Sequence, residues 1–211
     1  MNKIKIKICG ITRKEDALLA AELGAWAVGF IFVKNTPRYI SPDNAAEIIK
    51  KLPENLIKIG VFADISLEEI KNIAIQAGIT KIQLHGGESP EFCENLAKLT
   101  GKEIIKVIRV KSEADLKLIT QYKDKVSFIL LDSYSETELG GTGKVFDWEI
   151  AKKAKEYGIP VILAGGLNPD NAKHAYETII PYALDISSEI EISKGIKDHE
   201  KIKKLFIAIF D

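Results

Sequence analysis

The chain has 211 residues, enough for one large domain with a sizeable core. Its 30 basic and 30 acidic side chains cancel, which argues against a dedicated nucleic-acid binder. The two cysteines, Cys9 and Cys93, give no disulfide framework and suggest a reducing compartment, and no apolar run reaches the roughly 18 residues of a membrane span. The basic N-terminus lacks the apolar core and small-residue cleavage site of a secretion signal. A soluble cytoplasmic protein is expected, a monomer or homodimer, with no nucleic-acid or membrane partner.

Eight short β-branched or aliphatic runs alternate with charged amphipathic stretches. Strands are expected at residues 4–9, 27–32, 57–62, 81–84, 103–108, 127–131, 160–164 and 183–186. Helices are expected at residues 14–22, 42–51, 67–76, 90–99, 113–122, 147–157, 169–178 and 198–210. Ser41-Pro42, Ser89-Pro90 and Asn168-Pro169 each place a capping side chain before a proline suited to the first helical turn. Gly24, Gly78 and Gly158 follow helices, where a left-handed residue is wanted. Strict alternation of strand and helix implies a parallel sheet, and eight units of about 25 residues fit one α/β domain over residues 1–211, a (β/α)8 TIM barrel. An open doubly wound sheet is the alternative, and eight units suit it less.

Chemistry in such a barrel belongs at the C-terminal ends of the strands. In the first strand, alternation puts Ile4, Ile6 and Ile8 on one face and Lys5, Lys7 and Cys9 on the other. Cys9 thus stands at a strand tip, either as a small buried hydrophobe or as a base whose thiolate fraction a nearby cation, Lys7, would raise. A lysine inside a barrel needs a counter-charge, and Asp185 on the eighth strand, adjacent to the first after closure, is the expected partner. Asp132 ends the sixth strand on the face of Phe128 and Leu130. It is either a loop-capping carboxylate or a proton donor kept neutral by apolar walls.

Two long loops follow strand tips. Residues 33–41 carry Arg38, which is either solvated or a fork for a carboxylate. Residues 132–146 carry Gly140-Gly141-Thr142-Gly143, either a solvent loop or a lid whose amides, at Gly141 and Gly143, face an anion. Gly165 and Gly166 after the seventh strand, with Ser187 and Ser188 after the eighth, form the usual place for a phosphate in this fold. Gln83 and His85 share a face at the fourth strand tip and, with Asp185, are candidate substrate contacts. No paired-histidine or paired-cysteine spacing suggests a metal, and no dinucleotide or P-loop motif occurs. A phosphate grip, an acid and a base point to proton-transfer isomerisation of a sugar phosphate, with no cofactor.

Nine segments in register resemble the phosphoribosylanthranilate isomerases over essentially the whole chain. They are Lys7-Ile8-Cys9-Gly10-Ile11-Thr12, Gly29-Phe30-Ile31-Phe32, Pro37-Arg38-Tyr39, Gln83-Leu84-His85-Gly86, Leu131-Asp132, Gly140-Gly141-Thr142-Gly143, Phe146-Asp147-Trp148, Ala164-Gly165-Gly166-Leu167 and Asp185-Ile186-Ser187-Ser188. The resemblance implies Cys9 as general base, Asp132 as general acid, Arg38 on an anthranilate carboxylate, and the glycine and serine loops on a phosphate. It departs at Glu189, where the family usually has glycine. Glu189 is expected to turn outward, with Lys197 offsetting its charge. Two rivals remain at this point: indole-glycerol-phosphate synthase, which needs a lysine acid at a strand tip, and a barrel that binds a phosphorylated ligand without turning it over.

Overall fold

The computed structural model describes residues 4–133 and 148–210. Eight parallel strands close into a barrel in sequence order: β1 (Ile6–Cys9), β2 (Ala27–Ile31), β3 (Ile57–Phe62), β4 (Lys81–Leu84), β5 (Glu103–Val110), β6 (Phe128–Ser133), β7 (Val161–Leu163) and β8 (Ala183–Ile186). The open-sheet alternative is thereby excluded. Helices α1 (Lys14–Glu22), α2 (Pro42–Ile49), α3 (Leu67–Ala77), α4 (Pro90–Thr100), α5 (Trp148–Ala154), α6 (Ala172–Ile179) and α7 (His199–Phe210) lie in the connections. Among the described residues, no helix is long and apolar enough to cross a membrane.

Local chemistry accounts for most boundaries. Ser41 and Ser89 cap α2 and α4, accepting from the amides of Asn44 and Phe92. Gly24, Gly78 and Gly158 all adopt positive φ behind their helices. Three helical expectations change. Of residues 147–157, Trp148–Ala154 are α-helical and Lys155–Tyr157 form a separate 3₁₀ turn. Residues 113–122 form a 3₁₀ helix, because Leu116, Ile119 and Tyr122 are buried at a spacing of three, the period of that helix. The helix after β7 begins at Ala172 rather than Pro169. Asn168 instead closes a turn by accepting from the amides of Asp170 and Asn171, and the Asn171 side chain donates to the Gly166 carbonyl. A small antiparallel hairpin, β9 (Glu191–Ser193) and β10 (Ile196–Lys197), was not expected from the periodicity.

The strand alternation sorts the core into two. Ile6 and Ile8 join the large layer between barrel and helices, whereas Ala27, Ile59, Ile105, Phe128, Leu130 and Ile162 fill the barrel interior. Lys7 points inward and is fully buried. Gly29 makes room for it: a Cβ there would lie 3.1 Å from Lys7 Cε and 2.8 Å from Cys9 Sγ.

Candidate active site at the C-terminal rim

Parallel pairing sets Lys7 directly beside Asp185 across the β1–β8 junction. Lys7 Nζ lies 2.6 Å from Asp185 Oδ2 and donates to Gln83 Oε1 at 2.7 Å. One layer above, Cys9, His85 and Asp132 reach the rim, with Cys9 and Asp132 each 6% exposed. Both line a single cavity together with Asp185, Gly165, Gly166 and Ser187. Gln83, His85, Arg38, Ser188 and Glu189 border the same space. Gly141 and Gly143, with residues 134–147 as a whole, lie outside the described residues.

Burial works against every charge here. It acts to lower the Lys7 pKa, but Asp185 and Cys9 outweigh it and hold Lys7 above the ordinary lysine value. Burial pushes the Cys9 thiol up, and the opposing pull of Lys7 only partly offsets it. Lys7 is in place and acts in the expected direction, toward the thiolate, but desolvation outweighs it. Burial, followed by the charges of Arg109, Lys7 and Lys106, brings His85 down to about 3, so its ring is neutral near pH 7. Its Nε2 stands 3.6 Å from Asp132 Oδ2, and neither that nitrogen nor Asp185 Oδ1 makes a hydrogen bond among the described residues. Both are polar atoms at a cavity wall that a ligand would satisfy.

Arg38 lies where the first long loop crosses the rim and borders two adjoining cavities. The second of these is mainly apolar, with Ile31, Val33, Pro37, Val61 and Ala63 in its walls. The Arg38 guanidinium forms a fork with Glu191, Nε to Oε1 at 2.9 Å and Nη2 to Oε2 at 2.8 Å. Glu191 also accepts from Lys197 Nζ at 2.9 Å. Lys197 thus answers Glu191 rather than Glu189, which is half-buried and borders the cavity. Glu191 is the site residue that inspection of the sequence did not assign. Its signal was the pair of cations, Arg38 and Lys197, each of which needs a counter-charge when buried.

In the loop after β7, Gly165 and Gly166 take φ of 87° and 66°, which turns the loop beneath the rim. Ser187 donates through its hydroxyl to the Cys9 carbonyl at 3.1 Å, tying the eighth loop to the first strand tip. Among the described residues, no group of acidic, histidine or cysteine side chains is arranged to hold a metal.

Fold and site together define a (β/α)8-barrel enzyme with its functional groups gathered at the C-terminal rim. The family model described as N-(5'phosphoribosyl)anthranilate (PRA) isomerase matches residues 6–208. An N-(5'-phosphoribosyl)anthranilate isomerase of Geobacter sp. (strain M21) is 46% identical over 204 residues, covering 97% of this chain and 96% of its own. The crystal structure of phosphoribosyl anthranilate isomerase from Thermotoga maritima superposes with a TM-score of 0.91 at 37% identity, covering 98% of both chains. A phosphoribosyl anthranilate isomerase solved in complex with reduced 1-(o-carboxyphenylamino)-1-deoxyribulose 5-phosphate gives a TM-score of 0.87 at 36% identity, again over 98% of both chains. The chain belongs to the phosphoribosylanthranilate isomerase family, which removes indole-glycerol-phosphate synthase as a rival.

Proposed function

We propose that the chain isomerises N-(5-phosphoribosyl)anthranilate to 1-(2-carboxyphenylamino)-1-deoxyribulose 5-phosphate, an Amadori rearrangement in tryptophan biosynthesis. The observation that carries this is the single cavity shared by Cys9, Asp132 and the loops after β7 and β8. Family membership supplies the substrate, and the cavity supplies the chemistry.

Asp132 gives a proton to the furanose ring oxygen, which leaves as the C4 hydroxyl while the C1 nitrogen lone pair forms a Schiff base. Cys9, as thiolate, takes the C2 proton, and the resulting enolamine tautomerises to the ketone. Each step needs its acid or base within reach of one bound substrate, a requirement that fits two groups lining one cavity. The phosphate is assigned to the backbone of Gly165 and Gly166 with Ser187 and Ser188. The aryl ring is assigned to the apolar cavity beyond Arg38, with its carboxylate on that guanidinium. Asp185 Oδ1 and His85 Nε2 are assigned to ribose hydroxyls, and Gln83 holds Lys7 beneath them. None of these steps asks for a cofactor.

The anthranilate substrate fluoresces, so its decay on adding purified chain tests the activity directly. Cys9→Ala and Asp132→Asn are each expected to lower turnover by at least about a hundredfold while product affinity stays within a few-fold. Turnover retained in either variant would remove that residue's role. Binding without turnover in the unaltered chain would leave only a ligand-binding barrel.

A further inference from the structure

Glu191 sits where no substrate atom need reach it, yet it organises both cations at one end of the site. It is 9% exposed and takes both nitrogens of the Arg38 fork. Its Oε1 also accepts from Lys197 Nζ, a fully buried ammonium that donates in turn to the Ser187 carbonyl at 3.0 Å. One carboxylate therefore keeps two cations apart and leaves the trio with a net charge of one positive unit. Without it, Arg38 and Lys197 would repel one another in a poorly solvated space.

The backbone is shaped around this contact. Gly10 has a φ of 78°, and a Cβ there would lie 2.8 Å from Arg38 Cδ and 3.2 Å from Ser187 Oγ. The arginine stem passes over Gly10 to reach Glu191. At the tip of the β9–β10 hairpin, a Cβ on Gly195 would approach the Pro37 carbonyl at 3.0 Å. Thr12 donates to the Gly195 carbonyl, and Arg13 Nη2 donates to the Lys197 carbonyl at 3.1 Å. The hairpin is thus docked against the loop that carries Arg38 and against the first strand tip.

We infer that Glu191 is a positioning residue: it fixes the plane and place of the Arg38 guanidinium at the cavity mouth and so sets selectivity for a ligand bearing an aryl carboxylate. The inference rests on Arg38 as the carboxylate fork proposed above. A guanidinium recognises a carboxylate through two parallel hydrogen bonds, so a wandering arginine keeps its charge and loses its selectivity.

The test compares two ligands: the reduced carboxyphenylamino-deoxyribulose 5-phosphate and its counterpart made from aniline, which lacks the ring carboxylate. The unaltered protein is expected to prefer the carboxylate form. Glu191→Gln keeps the size and is expected to cut that preference about tenfold, with affinity for the aniline ligand held within about twofold. In an Arg38→Ala background, adding Glu191→Gln should change neither affinity, because Glu191 acts through Arg38. If Glu191→Gln does not fold, Glu191→Asp is judged by the same ratio, since its shorter reach cannot serve both cations. Equal weakening of both ligands, or an unchanged preference, overturns the inference and leaves Arg38's role standing. An unaltered protein with no preference, or Arg38→Ala retaining it, overturns the role of Arg38 and the inference with it.

Discussion

At the scale of single residues, the group proposed as the base, Cys9, is held back by its own burial. Cys9 must lose its proton to act, and its pKa is raised. The kcat/KM of the free enzyme is therefore expected to climb with pH through neutrality and to level off only above the ordinary thiol value of about 8.5. Lys7→Met removes the cation that opposes this shift, so the curve should move further toward alkali and the rate at pH 7 should fall. The same variant leaves Asp185 buried without its partner, a loss of about 3–5 kcal/mol in urea unfolding. Because Lys7 is raised in the folded state, the stability its ion pair contributes is complete below the lysine value of about 10.4 and fades only as pH climbs past it. An unshifted rate profile in Lys7→Met would show that the ammonium does not influence the thiol. The partnership of Lys7 with Asp185 was legible in the sequence, since alternation and barrel closure require it. That of Arg38 with Glu191 was not: 153 residues separate them, and periodicity carries no information about where an irregular loop sends its side chain.

At the scale of elements, the β9–β10 hairpin is the piece that links machinery to scaffold. Asp16, in the first turn of α1 and fully buried, accepts two bonds from Arg13, one from the Lys197 amide at 3.1 Å, and faces His199 Nε2 at 2.9 Å. One carboxylate thus joins α1, the hairpin and the start of α7. Asp16→Asn is expected to cost about 3 kcal/mol in urea unfolding. Faster amide exchange should accompany it at residues 191–197, with little change in α3 or α4. Uniformly faster exchange would mean that the carboxylate supports the whole fold and not this junction. Helix α1 keeps its expected bounds without a side-chain cap, and α3 and α4, each one residue longer than expected, have a serine cap at one end and a glycine at the other. The misjudged ones lack that punctuation or answer to neighbours. The 3₁₀ segment follows the spacing of what it buries, and the Asn168 turn spends its proline outside the helix.

At the scale of the whole molecule, two nested cores divide the work. The larger, between barrel and helices, is built from residues such as Ile8, Ile82 and Leu131, each fully buried. Ile82→Ala should cost about 2–5 kcal/mol in equilibrium unfolding, through lost transfer energy and the space left behind, without altering ligand affinity. A shift in ligand affinity as large as the stability loss would contradict this separation of scaffold from site. The barrel itself was legible because eight strand–helix units admit few arrangements. The support behind Arg38 was not, since Glu191 lies on a hairpin whose strands have only three and two residues. Closure has one more consequence. Each barrel strand is hydrogen-bonded on both sides, so none offers an unpaired backbone on which another chain could build a fibre. The described sheet edges left open belong to that short hairpin, whose length gives a growing aggregate almost nothing to copy.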